Sequence, residues 1–365
     1  MIRFLSQLEH QGRLGPLVFD EIHKIITDND YRNAFKNFHS LHKVKAVVFG
    51  LTGSLPPSLY PVLCDLTKMT WKVIRTRSSR KELKYQVVRV ELDTDMDAAI
   101  VQHVHEAILT YRPEDRALVF CRSRNHVEVL SGLFKIHPYY APGDNVTILE
   151  KNKETMVKWI TGESRVMAST SILGCGFDYS HIRDVVHRDP SFSMLDQYQE
   201  DSRGGRDGME RRATTFIVDK KKYAIPSQQY DLGTQTLFDS LKETNRCRRW
   251  GPSLYLDGQA VQCITLPGAS FCDICEEVAG SSLKIPLSTR PQVNVFSPAR
   301  TTSPPKRAFD MFDPSPAPRL NLREHLRPLK RKRSSQDSNK TPVTCTSEPS
   351  PSKRVHFTID SLATR

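Results

Sequence analysis

Long apolar runs are absent from this 365-residue chain. Nowhere do the roughly 18 consecutive apolar residues of a membrane span occur. The first ten residues lack the apolar core of a secretory signal, so none is expected there. Cysteine is scarce, at eight residues, and four of the eight fall between Cys247 and Cys275. That count is too low for a disulfide scaffold, and such clustering reads better as metal ligands than as bridges. No internal repeat recurs at a fixed period.

What is abundant is positive charge, and it is local. The chain has 53 Lys+Arg against 41 Asp+Glu, a net +12. Residues 281–365 hold 16 basic and six acidic groups and 12 of the 23 prolines, leaving residues 1–280 nearly balanced. The tail has too little apolar surface to offset ordering entropy and is expected to be disordered. The remainder allows two or three domains at roughly 100–200 residues each.

Strand and helix signals alternate along that remainder. Short apolar runs at 17–19, 45–50, 85–90, 117–121, 165–169 and 185–187 read as strands. Helical spacing marks 56–68, 97–111, 124–134, 155–161 and a start at 194–199. The alternation predicts an α/β protein with two layers of mostly parallel sheet.

Several motifs carry chemistry. Asp20-Glu21-Ile22-His23 follows a strand directly, which sets two carboxylates at the lip of a parallel sheet, where ligands bind. There an acidic residue suits Mg²⁺ and its neighbour suits an attacking water. Such pairs also serve as plain helix-dipole partners. Gln199-Glu200-Asp201-Ser202-Arg203-Gly204-Gly205-Arg206-Asp207-Gly208 sets two arginines among glycines, a pattern suited to phosphate oxygens. Thr170, Gly174, Gly176 and Asp178 suggest a backbone bend near a nucleotide or nucleic acid. Cys247, Cys263, Cys272 and Cys275 supply four thiolates, enough for a closed tetrahedral Zn²⁺ site.

The order of these motifs resembles the RecQ-like DNA helicases of helicase superfamily 2, over roughly residues 4–275. Asp20–His23 match motif II. Thr52-Gly53-Ser54 match motif III. Residues 121–124 lie in motif IV. Thr170, Gly174, Gly176 and Asp178 match motif V, and Gln199 with 203–208 match motif VI. The resemblance implies a 3′-to-5′ DNA helicase that couples unwinding to ATP hydrolysis, with roles in DNA repair and recombination. It implies a partial first RecA-like lobe at 1–95, a complete second RecA-like lobe at 96–222, a helical zinc-binding segment at 223–279 and a disordered basic tail at 280–365.

It also implies residue roles. Asp20 would hold Mg²⁺, Glu21 would activate water and His23 would relay nucleotide state. Thr52, Ser54 and Gln199 would contact ATP, and Arg203 and Arg206 would reach its γ-phosphate. Tyr31, Arg32, Arg122, Thr170 and Gly174 would face single-stranded or forked DNA. The four cysteines would bind Zn²⁺, although the gap from Cys263 to Cys272 is wider than in the family. The cysteine segment disfavours an RNA helicase of the same superfamily.

The sequence departs from the family in three further places. No G-x-x-x-x-G-K-[S/T] phosphate loop precedes Asp20, so weak ATP hydrolysis and exposed sheet edges are expected. The alternative is a non-catalytic DNA-binding adaptor. The aromatic loop after motif II is reduced to Asp30-Tyr31-Arg32. Motif VI carries Ser202 for Gly and Gly204 for Ala, exchanges expected to be tolerated. In the tail, Arg327-Pro328-Leu329-Lys330-Arg331-Lys332-Arg333 is expected to engage a nuclear import receptor and direct the chain to the nucleus. Deleting 330–333 from a fluorescent fusion should reduce nuclear accumulation, and unchanged accumulation would count against it.

Overall fold

The computed structural model describes residues 2–28, 35–171, 178–225 and 229–283. Residues 293–365 form a separate unit and lie outside the described residues, as does the basic run of the tail. Among the described residues no helix is long and apolar enough to cross a membrane.

Helix α1 (Ile2–His10) leads to strand β1 (Leu17–Phe19), helix α2 (Lys24–Thr27), strand β2 (Val48–Gly50) and helix α3 (Tyr60–Thr67). β1 and β2 pair in parallel, Val18 opposite Phe49. The outward side chains of this small sheet, Val18 and Phe49, are more than half exposed. Its inner side is apolar. Ile22, Ile25, Phe38, Leu41 and Leu63 pack with Leu195 and Leu256, which belong to later elements. The first lobe therefore closes its core on the rest of the chain.

The second lobe is a five-stranded parallel sheet. Its strands are β3 (Leu83–Val90), β4 (Arg116–Cys121), β5 (Val166–Ser169), β6 (Ile182–Arg188) and β7 (Arg211–Val218), in the order β3-β7-β6-β4-β5. Helices α4 (Asp93–Ile108), α5 (Arg124–Phe134), α6 (Val146–Thr161) and α7 (Met194–Asp201) connect them. Strand periodicity sends alternate residues to opposite faces. Ala117, Val119 and Cys121 enter one core with Met96, Ile100 and Leu130, while Leu118 and Phe120 enter another with Trp159 and Met167. Every residue of β4 is buried, as expected for a central parallel strand.

Two sequence expectations need correction. The sequence reading places the strand at 85–90 in the first lobe, with the boundary at 95/96. That strand pairs with β7 along its whole length, so the second sheet begins at Leu83. β7 itself, Arg-Arg-Ala-Thr-Thr-Phe-Ile-Val, has no place in the sequence reading. It opens on two arginines and is then buried on both faces, so it offers no alternation to read.

After β7 come α8 (Thr234–Lys242), α9 (Trp250–Asp257), a short 3₁₀ turn at Cys263–Thr265 and α10 (Asp273–Leu283). This segment covers the edge of β3, a place where unpaired strand groups would otherwise be exposed. Asp273 accepts from Val87 N (3.0 Å) and pairs with Arg248 (2.9 Å). Arg249 donates to the carbonyls of Arg80, Lys81, Leu83 and Ser270.

Candidate functional site

Because β1 and β2 are parallel neighbours, the residues that follow them emerge at the same end. Asp20 to His23 and Thr52 to Ser54 meet there. Glu21 adopts a left-handed backbone (φ 50°), rare for a residue with a Cβ, and its amide donates to Asp20 Oδ1 (2.9 Å). α7, capped by Ser193 Oγ on Asp196 N, brings Gln199 and the arginine turn to the opposite wall. The cleft between them has a volume of about 560 Å³ and is lined by Asp20, Glu21, Ser54, Gln199, Arg203 and Arg206, among others.

One hydrogen-bonded bridge crosses between the lobes. Gln199 Nε2 lies 2.6 Å from His23 Nε2 and donates to Ser54 Oγ (3.0 Å). The His23 ring is buried. Nδ1 faces Thr52 Oγ1 at 2.8 Å and Glu21 Oε2 at 3.1 Å. The hydrogen bond from His23 lowers the Glu21 pKa, with Lys24 and Arg203 adding electrostatic support. Glu21 is thus held as the carboxylate. Arg206 pairs with Asp178 Oδ1 (2.7 Å) at the rim of the same cleft.

Other predicted residues sit elsewhere. Arg122 and Thr170 follow β4 and β5, outside this cleft. Arg122 stacks over Phe192 (4.5 Å) and donates to Ala224 O (3.3 Å). Tyr31, Arg32, Gly174 and Gly176 lie outside the described residues. The four cysteines come together: one ligand atom from each lies within 4.8 Å of the others. Cys263, the doubtful member by spacing, is buried in the cluster, its sulfur 3.5 Å from that of Cys247.

Sequence reasoning missed a buried network beneath the arginine turn. His187 Nε2 lies 2.8 Å from Asp201, and Ser191 Oγ donates to Glu200 (2.5 Å). Burial pushes Glu200 up to about 7, against the pull of His187 and Ser191. Burial opposes charge on His187 too, but Asp201 and Glu200 raise its pKa overall. Both groups bind protons more tightly in the folded state. Their contribution is therefore greatest at low pH and is lost as pH rises, for Glu200 between its ordinary value of 4.5 and about 7. Unfolding free energy should fall between pH 5 and pH 8, by up to about 3 kcal/mol, and Glu200→Gln should flatten much of that fall. Urea titrations across this range check it, and an unchanged slope in the variant would contradict it.

Residues 99–208 match the helicase conserved C-terminal domain family. Over 210 residues the chain is 32% identical to the ATP-dependent DNA helicase RecQ of Bacillus subtilis, covering 54% of this chain and 34% of that protein. Over 268 residues it is 26% identical to the ATP-dependent DNA helicase Q-like 2 of Arabidopsis thaliana, covering 68% of this chain and 37% of that protein. The chain is thus similar to RecQ-like DNA helicases of superfamily 2. It spans less than half the length of these two RecQ-type relatives. Among solved structures, Saccharomyces cerevisiae Dbp5 bound to RNA and ADP BeF3 is similar with a TM-score of 0.45 at 15% identity, covering 60% of this chain and 57% of that chain. The two-stranded and five-stranded parallel sheets stand where the resemblance expects a partial first and a complete second RecA-like lobe, and Asp20, Glu21, Gly53, Ser54, Gln199, Arg203 and Arg206 line one cleft.

Proposed function

We propose that this chain carries the nucleotide-facing half of a RecQ-like 3′-to-5′ DNA helicase, with its cleft built for the phosphates of ATP. The observation that carries the reading is the bridge from Gln199 to His23, Ser54 and, through the imidazole, Thr52 and Glu21. A nucleotide bound between the lobes would be sensed at both walls through these few atoms. Asp20, at the strand end beside Glu21, fits Mg²⁺, which when bound would neutralise phosphate charge. Glu21, kept ionised, orients water and accepts its proton. Arg203 and Arg206 bring positive charge to where a transferring phosphoryl is most anionic.

DNA is the proposed polymer. Arg122 and Thr170 lie at the C-terminal ends of neighbouring strands β4 and β5, a common ligand edge in parallel sheets. The cysteine cluster fits Zn²⁺. Its sulfur separations of 3.5 and 3.9 Å bracket the ~3.8 Å edge of a tetrahedron with Zn–S near 2.3 Å.

Hydrolysis by the 365-residue chain alone is proposed to be weak, since its sequence contains no G-x-x-x-x-G-K-[S/T] motif to cradle the phosphates. ATP turnover with and without single-stranded DNA tests this. The expected result is little DNA stimulation. Strong stimulated turnover abolished by Glu21→Gln would overturn it.

A further inference from the structure

We propose that Arg80 is the positioning residue of the arginine turn and ties that turn to the cysteine segment. The inference rests on reading Arg203 and Arg206 as phosphate ligands, but its first test does not require nucleotide. Arg80 lies just ahead of β3 and takes no part in lining the cleft. Its guanidinium reaches the turn from behind. Nη1 donates to the carbonyls of Ser202 (3.1 Å) and Gly204 (3.4 Å), and Nη2 donates to that of Gly205 (3.0 Å). These carbonyls follow the end of α7, where backbone acceptors have run out of helical partners and carry partial negative charge. A planar fork with fixed donors satisfies converging carbonyls better than a single ammonium does.

A second arginine closes the turn from below. Arg211 is fully buried, and Glu82 joins the two guanidinium groups, 2.8 Å from Arg80 Nε and 2.7 Å from Arg211 Nη2. Gly205 is left-handed (φ 50°), and a Cβ there would stand 1.4 Å from Arg211 Nη1. A Cβ on Gly204 would stand 2.7 Å from Arg211 Cδ. Alanine, usual in the family at that place, would require Arg211 to shift. The glycine is therefore matched to the arginine beneath it and is not an idle exchange.

The far end of the connection is the Cys-Arg-Arg turn. Arg249 Nη1 donates to the Arg80 carbonyl (2.6 Å), and Arg249 Nε lies 3.3 Å from Cys263 Sγ. The path from cysteine cluster to arginine turn is thus Cys263, Arg249, Arg80 and the Ser202–Gly205 carbonyls. Arg203 and Arg206 project from that turn toward the cleft. Preorganised charge stabilises a developing anion only while its mounting holds still.

The test is hydrogen exchange of the full chain as wild type, Arg80→Ala and Arg80→Lys, with titration by fluorescent ATP and ADP analogues alongside. Exchange at amides 203–208 is expected to rise about tenfold or more in Arg80→Ala, with α4 and β4 unchanged and Arg80→Lys intermediate. The preference for triphosphate over diphosphate should fall about tenfold while diphosphate affinity stays the same. Unchanged exchange at 203–208, or a rise spread equally over α4 and β4, would overturn the proposal. A local rise in a protein that binds neither nucleotide would support the role of Arg80 and sink the nucleotide reading of the cleft.

Discussion

Cys272→Ser is expected to abolish the zinc binding proposed for the cysteine cluster and to loosen the chain around it. The cluster holds Cys247, Cys263, Cys272 and Ile274, with only Tyr85 and Cys275 packed against it. α8 and α9 have further apolar contacts through Leu237, Phe238, Tyr255 and Leu256, so the loosening should centre on the Cys263–Thr265 turn and the start of α10, which have little other apolar support. Metal binding in small cysteine sites contributes about 10–16 kcal/mol of apparent folding free energy. The wild type should carry one zinc per chain by elemental analysis, and the variant should carry far less. Loosening should spread, because Arg249 and Asp273 from this part of the chain cover the edge of β3. Chelation of the wild type should give the same protease-sensitive state. A folded wild type without zinc, indifferent to chelators, would contradict this.

The second large effect is expected from Arg249→Met. The Arg249 side chain is almost fully buried, stacks on Tyr85 (5.3 Å) and donates to four carbonyls from two stretches of chain. Methionine fills much of the space but donates nothing. The orphaned acceptors would each lose a partner away from water, where an unmet hydrogen bond costs about 1–3 kcal/mol. A total loss of about 3–5 kcal/mol is expected. Arg249→Lys should recover only part, since one ammonium cannot span the same acceptors. Urea unfolding measures this, and a loss under about 1 kcal/mol would mean that the carbonyls find other partners.

Asp20, Glu21, His23, Ser54, Gln199, Arg203 and Arg206 stand out in the sequence through the order of their motifs and the resemblance that order carries, since each motif alone is short and common. The fold brings six of them to one cleft, with His23 bonded to Gln199 beside it. Helix α5 is legible at both ends, since Ser123 caps its start. The allocation of β3 to a sheet is not legible. Strand partners are chosen by long-range packing, and Leu83–Val90 looks the same whichever sheet receives it. β7 is hidden by its opening arginines, whose partners, Glu82 and Asp184, lie on other strands or ahead of them. Arg80 reads as one more charge in Arg-Ser-Ser-Arg-Lys-Glu. Glu200 and Asp201 look like solvated charges in sequence and are buried in the fold.

The central claim is that the cleft between Asp20–His23 and Gln199–Arg206 receives the phosphates of a nucleotide. Calorimetric titration of the full chain with a non-hydrolysable ATP analogue and Mg²⁺, as wild type and Arg203→Ala, tests it most directly. Mg²⁺-dependent binding is expected in the wild type and should weaken about tenfold or more when Arg203 is removed, the loss expected for a charge-assisted phosphate contact. Binding of equal strength in both proteins, or none in a folded wild type, would contradict it.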